Sequence, residues 1–183
     1  VGKKGNKGKG KHKGSQFERD VCRILTKWVT GKEDPVIFWR TAGSGSQFTV
    51  KKGESPMCGD IMAVDPRGEP FIDYFCVECK NWRRIPIMAF LTGQEVGLLK
   101  EWWEELVGKC SWADKKPLLI FKENYQPIYA LMQTSEFFEL SDWVGKPERY
   151  FQVKLPWVDG VLMALVEFLD WVDIGIFEQL RKE

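Results

Sequence analysis

The chain has 183 residues, 44% of them hydrophobic, which suits one domain with a buried core and excludes a disordered chain. The net charge of +1 hides an asymmetry: residues 1–14 carry six Lys and no acid, and removing those from 27 basic residues leaves 21 against 26 acidic ones. Five Cys, an odd number, without a secretory leader pattern argue against a disulfide-framework secreted protein and point to a reducing, intracellular (cytoplasmic) setting.

Residues 1–14, "VGKKGNKGKGKHKG", have almost nothing to bury and read as a disordered basic arm. Lys11 and Lys13 in it suit a polyanion, because each Lys on a phosphate releases condensed counterions. A solubilising tail is the alternative reading. In "GSQFERDVCRILTKWVTG", Phe17, Val21, Ile24, Leu25 and Trp28 recur at helical spacing, with Ser15 to cap the start and Gly31 to end the helix. Residues 36–40 read as a strand, followed by a Gly/Ser/Thr/Lys-rich loop over 41–56. Residues 60–64 and 71–80 read as two strands of a hairpin around the turn-forming "DPRGEP". The spacing predicts one helix over 88–107, an apolar strand over 117–121, another over 127–132 and a short strand over 150–154. Residues 158–172 are very apolar but carry Asp159, Glu167 and Asp170. They are too short to cross a bilayer and read as a buried or partner-covered helix. The order is α-β-β-β-α-β-β plus a C-terminal helical extension, an α/β fold with a mixed sheet and helices on its faces. The expected divisions are the arm at 1–14, a core at 15–135 and an extension at 136–183, packed on the core or forming a dimer interface.

The chemistry concentrates in "FCVECKNW", residues 75–82. Alternation puts Cys76, Glu78 and Lys80 on one face of a strand. A hairpin centred near Glu69 places Asp60 across from Glu78, with Cβ atoms about 5 Å apart. Two carboxylates so close repel, and a divalent cation with an oxygen preference, Mg²⁺ or Mn²⁺, removes the conflict. A plain Glu78–Lys80 or Asp60–Lys80 ion pair is the competing reading. Glu18 has two readings also: a capping box with Ser15, or an acid near the strand ends serving the metal. Arg40 ends a strand with a phosphate-matching fork, and Ser44 lies in a loop whose glycines permit close backbone approach. Trp82, Arg83 and Arg84 offer stacking and charge to a nucleic acid. Gln94 interrupts an apolar stripe, which leaves it either inward support for the site or a helix-packing residue. Cys76 and Cys79 form CxxC, with Cys58 and Cys110 elsewhere, so a zinc-stabilised interaction module is a rival reading, weakened because residues three apart on a strand face opposite ways.

The ordered set "KGSQFERDVCRIL", "FWRTAGSGS", "GDIMAV", "FCVECK" and "GLLKEWWEEL…PLLIFK" resembles the PD-(D/E)xK nuclease superfamily over about residues 13 to 122. The nearest likeness is to archaeal-type Holliday junction resolvases and related phage-encoded nucleases. The resemblance implies a restriction-endonuclease-like αβββαβ core and a metal-dependent DNA endonuclease, with branched DNA as a candidate substrate. A homodimer is implied too, for which Trp102, Trp103 or the C-terminal apolar segment are interface candidates. It implies Mg²⁺ held by Asp60, Glu78 and the Cys79 carbonyl with Glu18 nearby, a water-orienting role for Lys80, and DNA contacts or site support from Arg40 and Ser44. This chain departs from the pattern where Gly59 replaces the proline before the aspartate, and in a long loop between Ser44 and Asp60. A catalytically inactive nucleic-acid-binding protein on the same fold is the remaining alternative.

Overall fold

The structure is a computed structural model that describes residues 7–41 and 58–182, with side chains from residue 13 onward in the first segment. A five-stranded sheet forms the centre, in the order β3 (Phe75–Trp82), β4 (Lys116–Glu123), β5 (Ile128–Gln133), β7 (Val158–Ala164), β6 (Phe151–Leu155). β3 and β4 are parallel and the other pairs antiparallel. The fold is therefore α/β with a mixed sheet, as the sequence indicates.

The sheet is apolar on both faces because helices cover both. Phe75, Val77 and Cys79 of β3, with Leu118 and Ile120 of β4, join one core with Phe17, Val21 and Leu25 of α1 (Lys7–Thr30). α2 (Glu69–Tyr74), α5 (Thr134–Val144), α6 (Leu165–Trp171) and α7 (Ile174–Leu180) add Phe71, Phe137, Phe168 and Phe177 to that core. Cys76, Leu119 and Phe121, one position out of phase, join a second core. There they meet Phe90 of α3 (Ile87–Leu91) and Leu99, Trp103, Leu106 and Cys110 of α4 (Gly97–Ala113). This is the period-two alternation of strands.

Five expectations are corrected. First, α1 begins at Lys7, inside the segment expected as an arm, so Ser15 lies within the helix and does not cap it. Gly31 does end it, at φ +72° with its N–H donating to the Lys27 carbonyl at 2.7 Å. Second, residues 71–74 are helical. Asp65 caps a short 3-10 turn at Pro66–Gly68, and Pro70, set early where no N–H is needed, opens α2. The expected hairpin is thus absent: β2 (Ile61–Ala63) pairs antiparallel with β1 (Phe38–Arg40), and Gly59 bridges Val77 in parallel. Third, the helix expected over 88–107 is two, α3 and α4, broken by a link in which Gly93 has φ +80°. Fourth, residues 158–172 split into β7 and α6. β7 lies between β5 and β6 and is apolar on both faces, which erases the alternation that distinguishes a strand from a helix. Fifth, Trp102 and Trp103 are buried against the sheet and offer no interface. Among the described residues, no helix is long and apolar enough to cross a membrane.

Candidate functional site

The site forms around β3, with α1, β1 and β2 on one side of it and α4 on the other. Thr26 of α1 accepts the backbone N–H groups of Ile37 and Phe38 at 3.2 and 3.3 Å, which fixes the helix against the start of β1. That register brings Glu18 to the end of β1. Its Oε2 accepts the Arg40 Nε–H at 2.8 Å, and Glu18 is only 8% exposed. The capping reading of Glu18 is replaced by this ion pair. Arg40 keeps part of its guanidinium open, with the side chain 30% exposed.

Asp60 reaches Glu78 by a different route from the hairpin. Gly59 has φ +82°, and a Cβ there would stand 2.2 Å from the Val77 carbonyl oxygen. Only glycine allows this approach. It lets the Asp60 N–H donate to the Val77 carbonyl at 2.7 Å and the Asp60 Oδ2 accept the Cys79 N–H at 2.8 Å. The Asp60 carbonyl accepts the Thr41 N–H at 2.8 Å, which ties the segment to the end of β1. Asp60 is therefore held by backbone on both sides.

Glu78, Lys80 and Cys76 share one face of β3, as alternation requires, and that face turns toward α4. Lys80 donates to Glu78 Oε1 at 2.7 Å, and Lys109 of α4 donates to Oε2 at 3.0 Å. Glu105, one turn before Lys109, pairs with it at 2.9 Å and with Lys80 at 3.9 Å. The Glu78–Lys80 ion pair and the acid cluster coexist. Glu105 and Lys109 are the functional-site neighbours that sequence reasoning missed. Their signal was an i,i+4 Glu–Lys pair, but a helix ended at residue 107 leaves Lys109 outside it.

The electrostatics follow from burial. Asp60 and Glu78 are 6% and 4% exposed. Burial, then the nearby Glu78 charge, pushes the Asp60 carboxyl up to about 7, with Glu18 adding to the rise; the Cys79 N–H and Lys80 oppose it. Burial works against the charge of Lys80, but Glu78, Glu105 and Asp60 outweigh it and hold the ammonium above its ordinary value. Lys109 behaves in the same way, with Glu105 and Glu78 outweighing burial. Desolvation pushes the Cys22 thiol, beside Glu18, up to about 12.

These donors fit a hard divalent cation. Asp60 and Glu78 offer only oxygen, and the burial and Glu78 charge that raise Asp60, with a smaller push from Glu18, are what a cation relieves.

The other expected residues separate. Trp82 is half exposed and meets Trp102 edge-on at 6.1 Å, and Arg83 and Arg84 are exposed after it. Lys13 reaches Asn124 in the β4–β5 turn. Gln94 lies exposed in the link between α3 and α4, so it does not point inward. Ser44 and the side chain of Lys11 lie outside the described residues. Cys76 and Cys79 face opposite cores, and Cys76 is bonded to Cys58, so CxxC is not a unit.

No curated protein and no solved structure matches this chain. One family model does, described as "Phage putative PDDEXK endonuclease", over residues 9–158. That span carries Glu18, Asp60, Glu78, Lys80 and Lys109 and most of the sheet, and the chain belongs to this phage PDDEXK endonuclease family.

Proposed function

We propose that the protein is a divalent-metal-dependent DNA endonuclease whose reaction centre is built from Asp60, Glu78, Lys80 and Glu18. The observation that carries this reading is the approach of Asp60 to Glu78 through the Gly59–Val77 bridge, with Lys80 on the same strand face. Asp60, Glu78 and the Cys79 carbonyl hold Mg²⁺ or Mn²⁺, and Glu18 lies close enough to add its charge. When bound, such a cation supplies charge neutralisation and Lewis acidity for hydrolysis of a phosphodiester bond.

The chain's own residues do the rest. Cys79 N–H orients the Asp60 carboxylate, and Lys109 and Lys80 orient that of Glu78. Lys80 is an ammonium, so it donates to an attacking water or a phosphoryl oxygen and does not abstract a proton. Arg40, steadied by Glu18, presents the free part of its fork to a phosphate. Trp82, Arg83 and Arg84 continue from the reactive face of β3 and flank the scissile strand. Lys11, Lys13 and the rest of the basic segment add affinity without sequence preference.

The test incubates the protein with linear, nicked and four-way branched DNA in Mg²⁺, Mn²⁺ or EDTA, with Lys80→Ala alongside. The expected result is cleavage that needs both the metal and Lys80. Preference for the four-way junction, from a protein that sediments as a dimer, identifies a junction-resolving enzyme. Equal cutting of all three identifies a general nuclease. Absence of cutting under every metal overturns the assignment.

A further inference from the structure

Beside the carboxylate site lies a second cluster that the nuclease chemistry does not use. The sulfur atoms of Cys58, Cys76 and Cys110 all lie within 4.8 Å of one another, and all three residues are buried. Cys58 and Cys76 are joined as a disulfide, and Cys110 is a free thiol. We propose that, once this bond is reduced, Cys58, Cys76 and Cys110 form a thiolate site for a soft d¹⁰ cation, Zn²⁺, separate from the carboxylate site.

Position supports this. Cys58 is two residues before Asp60, Cys76 is two residues before Glu78 on the same face of β3, and Cys110 follows Lys109 on α4. The three sulfurs thus join the three segments that carry the acids and their lysine partner. Tetrahedral zinc with Zn–S near 2.3 Å sets its sulfurs about 3.8 Å apart, so after reduction the Cys58 and Cys76 sulfurs must part while Cys110, already within 4.8 Å of both, moves little. The donor set separates the two ions: thiolates select Zn²⁺, and the carboxylates select Mg²⁺ or Mn²⁺.

Cys110 also lines a cavity of about 220 Å³ with Ser111, Lys115, Gln133 and Glu136. Three thiolates and Zn²⁺ leave one net negative charge; burial, Glu136 and Glu78 oppose a thiolate at Cys110 more strongly than Lys109 and Lys115 favour it, so the ion itself must displace that proton. The chemistry balances. An external dithiol supplies two electrons and two protons to the Cys58–Cys76 bond and becomes a disulfide itself. The three resulting thiols then release three protons to solvent as they bind the ion.

The proposal is independent of the nuclease reading, and its test reads sulfur ligation. Reduced, metal-free protein is titrated with Co²⁺ as a spectroscopic stand-in for Zn²⁺, and zinc is then added in competition. The expected result is a thiolate-to-cobalt charge-transfer band that saturates stoichiometrically and is abolished by zinc. Co²⁺ on carboxylates gives no such band. Cys110→Ser and Cys58→Ser, each checked for native circular dichroism, lose the band, and Cys22→Ser keeps it. The wild-type titration decides even where a variant does not fold. No band with the reduced wild-type protein overturns the proposal, as does an unchanged band in folded Cys110→Ser. A Cys58–Cys76 bond that resists reduction in the folded protein also overturns it.

Discussion

At Asp60, burial and the neighbouring Glu78 raise the carboxyl from an ordinary 3.8 to about 7. The folded, metal-free protein therefore binds a proton that the unfolded chain has already lost. The stability this group contributes is full below about pH 4 and is lost as pH rises through 7, by an amount of order a few kcal/mol. Denaturant titrations in EDTA at pH 5 and pH 8 check this, and Asp60→Asn removes that part of the pH dependence. Gly59 governs the same residue through the backbone. With φ +82° and the Val77 carbonyl 2.2 Å from a would-be Cβ, Gly59→Ala displaces Asp60 from the Cys79 N–H. The expected cost is about 2 kcal/mol or more in stability together with loss of cleavage, read by denaturation and by the nuclease assay. Of these residue-scale features, the nearness of Asp60 to Glu78 was expected for the wrong reason: the spacing argument needed a hairpin, and the fold brings them together by the parallel Gly59–Val77 bridge instead. The glycine was legible only as a departure from a proline, because a positive φ and a close backbone contact have no signature in side-chain pattern.

α4 carries the part of the site that pattern reading missed. Its apolar residues Leu99, Trp103, Leu106 and Cys110 face the sheet, and Lys109 at the edge of that face reaches Glu78 at 3.0 Å. A cation on Glu78 must compete with this ammonium. Lys109→Met is expected to tighten Mn²⁺ binding severalfold and to destabilise the metal-free protein by about 1 kcal/mol. Isothermal titration reads the first and chemical denaturation the second; weaker Mn²⁺ binding would show that Lys109 orients Glu78 more than it competes. Strands 60–64 and 117–121 and the end of α1 at Gly31 were readable because a turn or glycine bounds each one. Residues 71–74 and 158–164 were not. "FIDYF" and "VDGVLMA" lack the polar alternation that separates the two periods, since one is a short helix pressed on Trp28 and Phe177 and the other an interior strand covered on both faces.

For the whole molecule, the C-terminal third contributes β6 and β7 to the same sheet that carries Glu78. This assembly was not legible, because non-local pairing is decided by which edge a strand finds after the chain turns back. The basic start of the chain carries the opposite charge balance from the body, and in the proposed function it adds affinity for DNA. Removing residues 1–12 deletes Lys3, Lys4, Lys7, Lys9 and Lys11. The expected result is weaker binding to any DNA at low salt, with the slope of log K against log salt reduced by up to about 4. Fluorescence anisotropy across a salt series measures it, and an unchanged slope would mean the segment does not touch phosphate.

The most direct measurement is the rate of plasmid cleavage by the wild-type protein and by folded Asp60→Asn, each in Mg²⁺ and in EDTA. The expected result is cleavage by the wild type in Mg²⁺, none in EDTA, and a fall of about 100-fold or more in Asp60→Asn. Cleavage that persists in EDTA, or Asp60→Asn cutting at the wild-type rate, would contradict it.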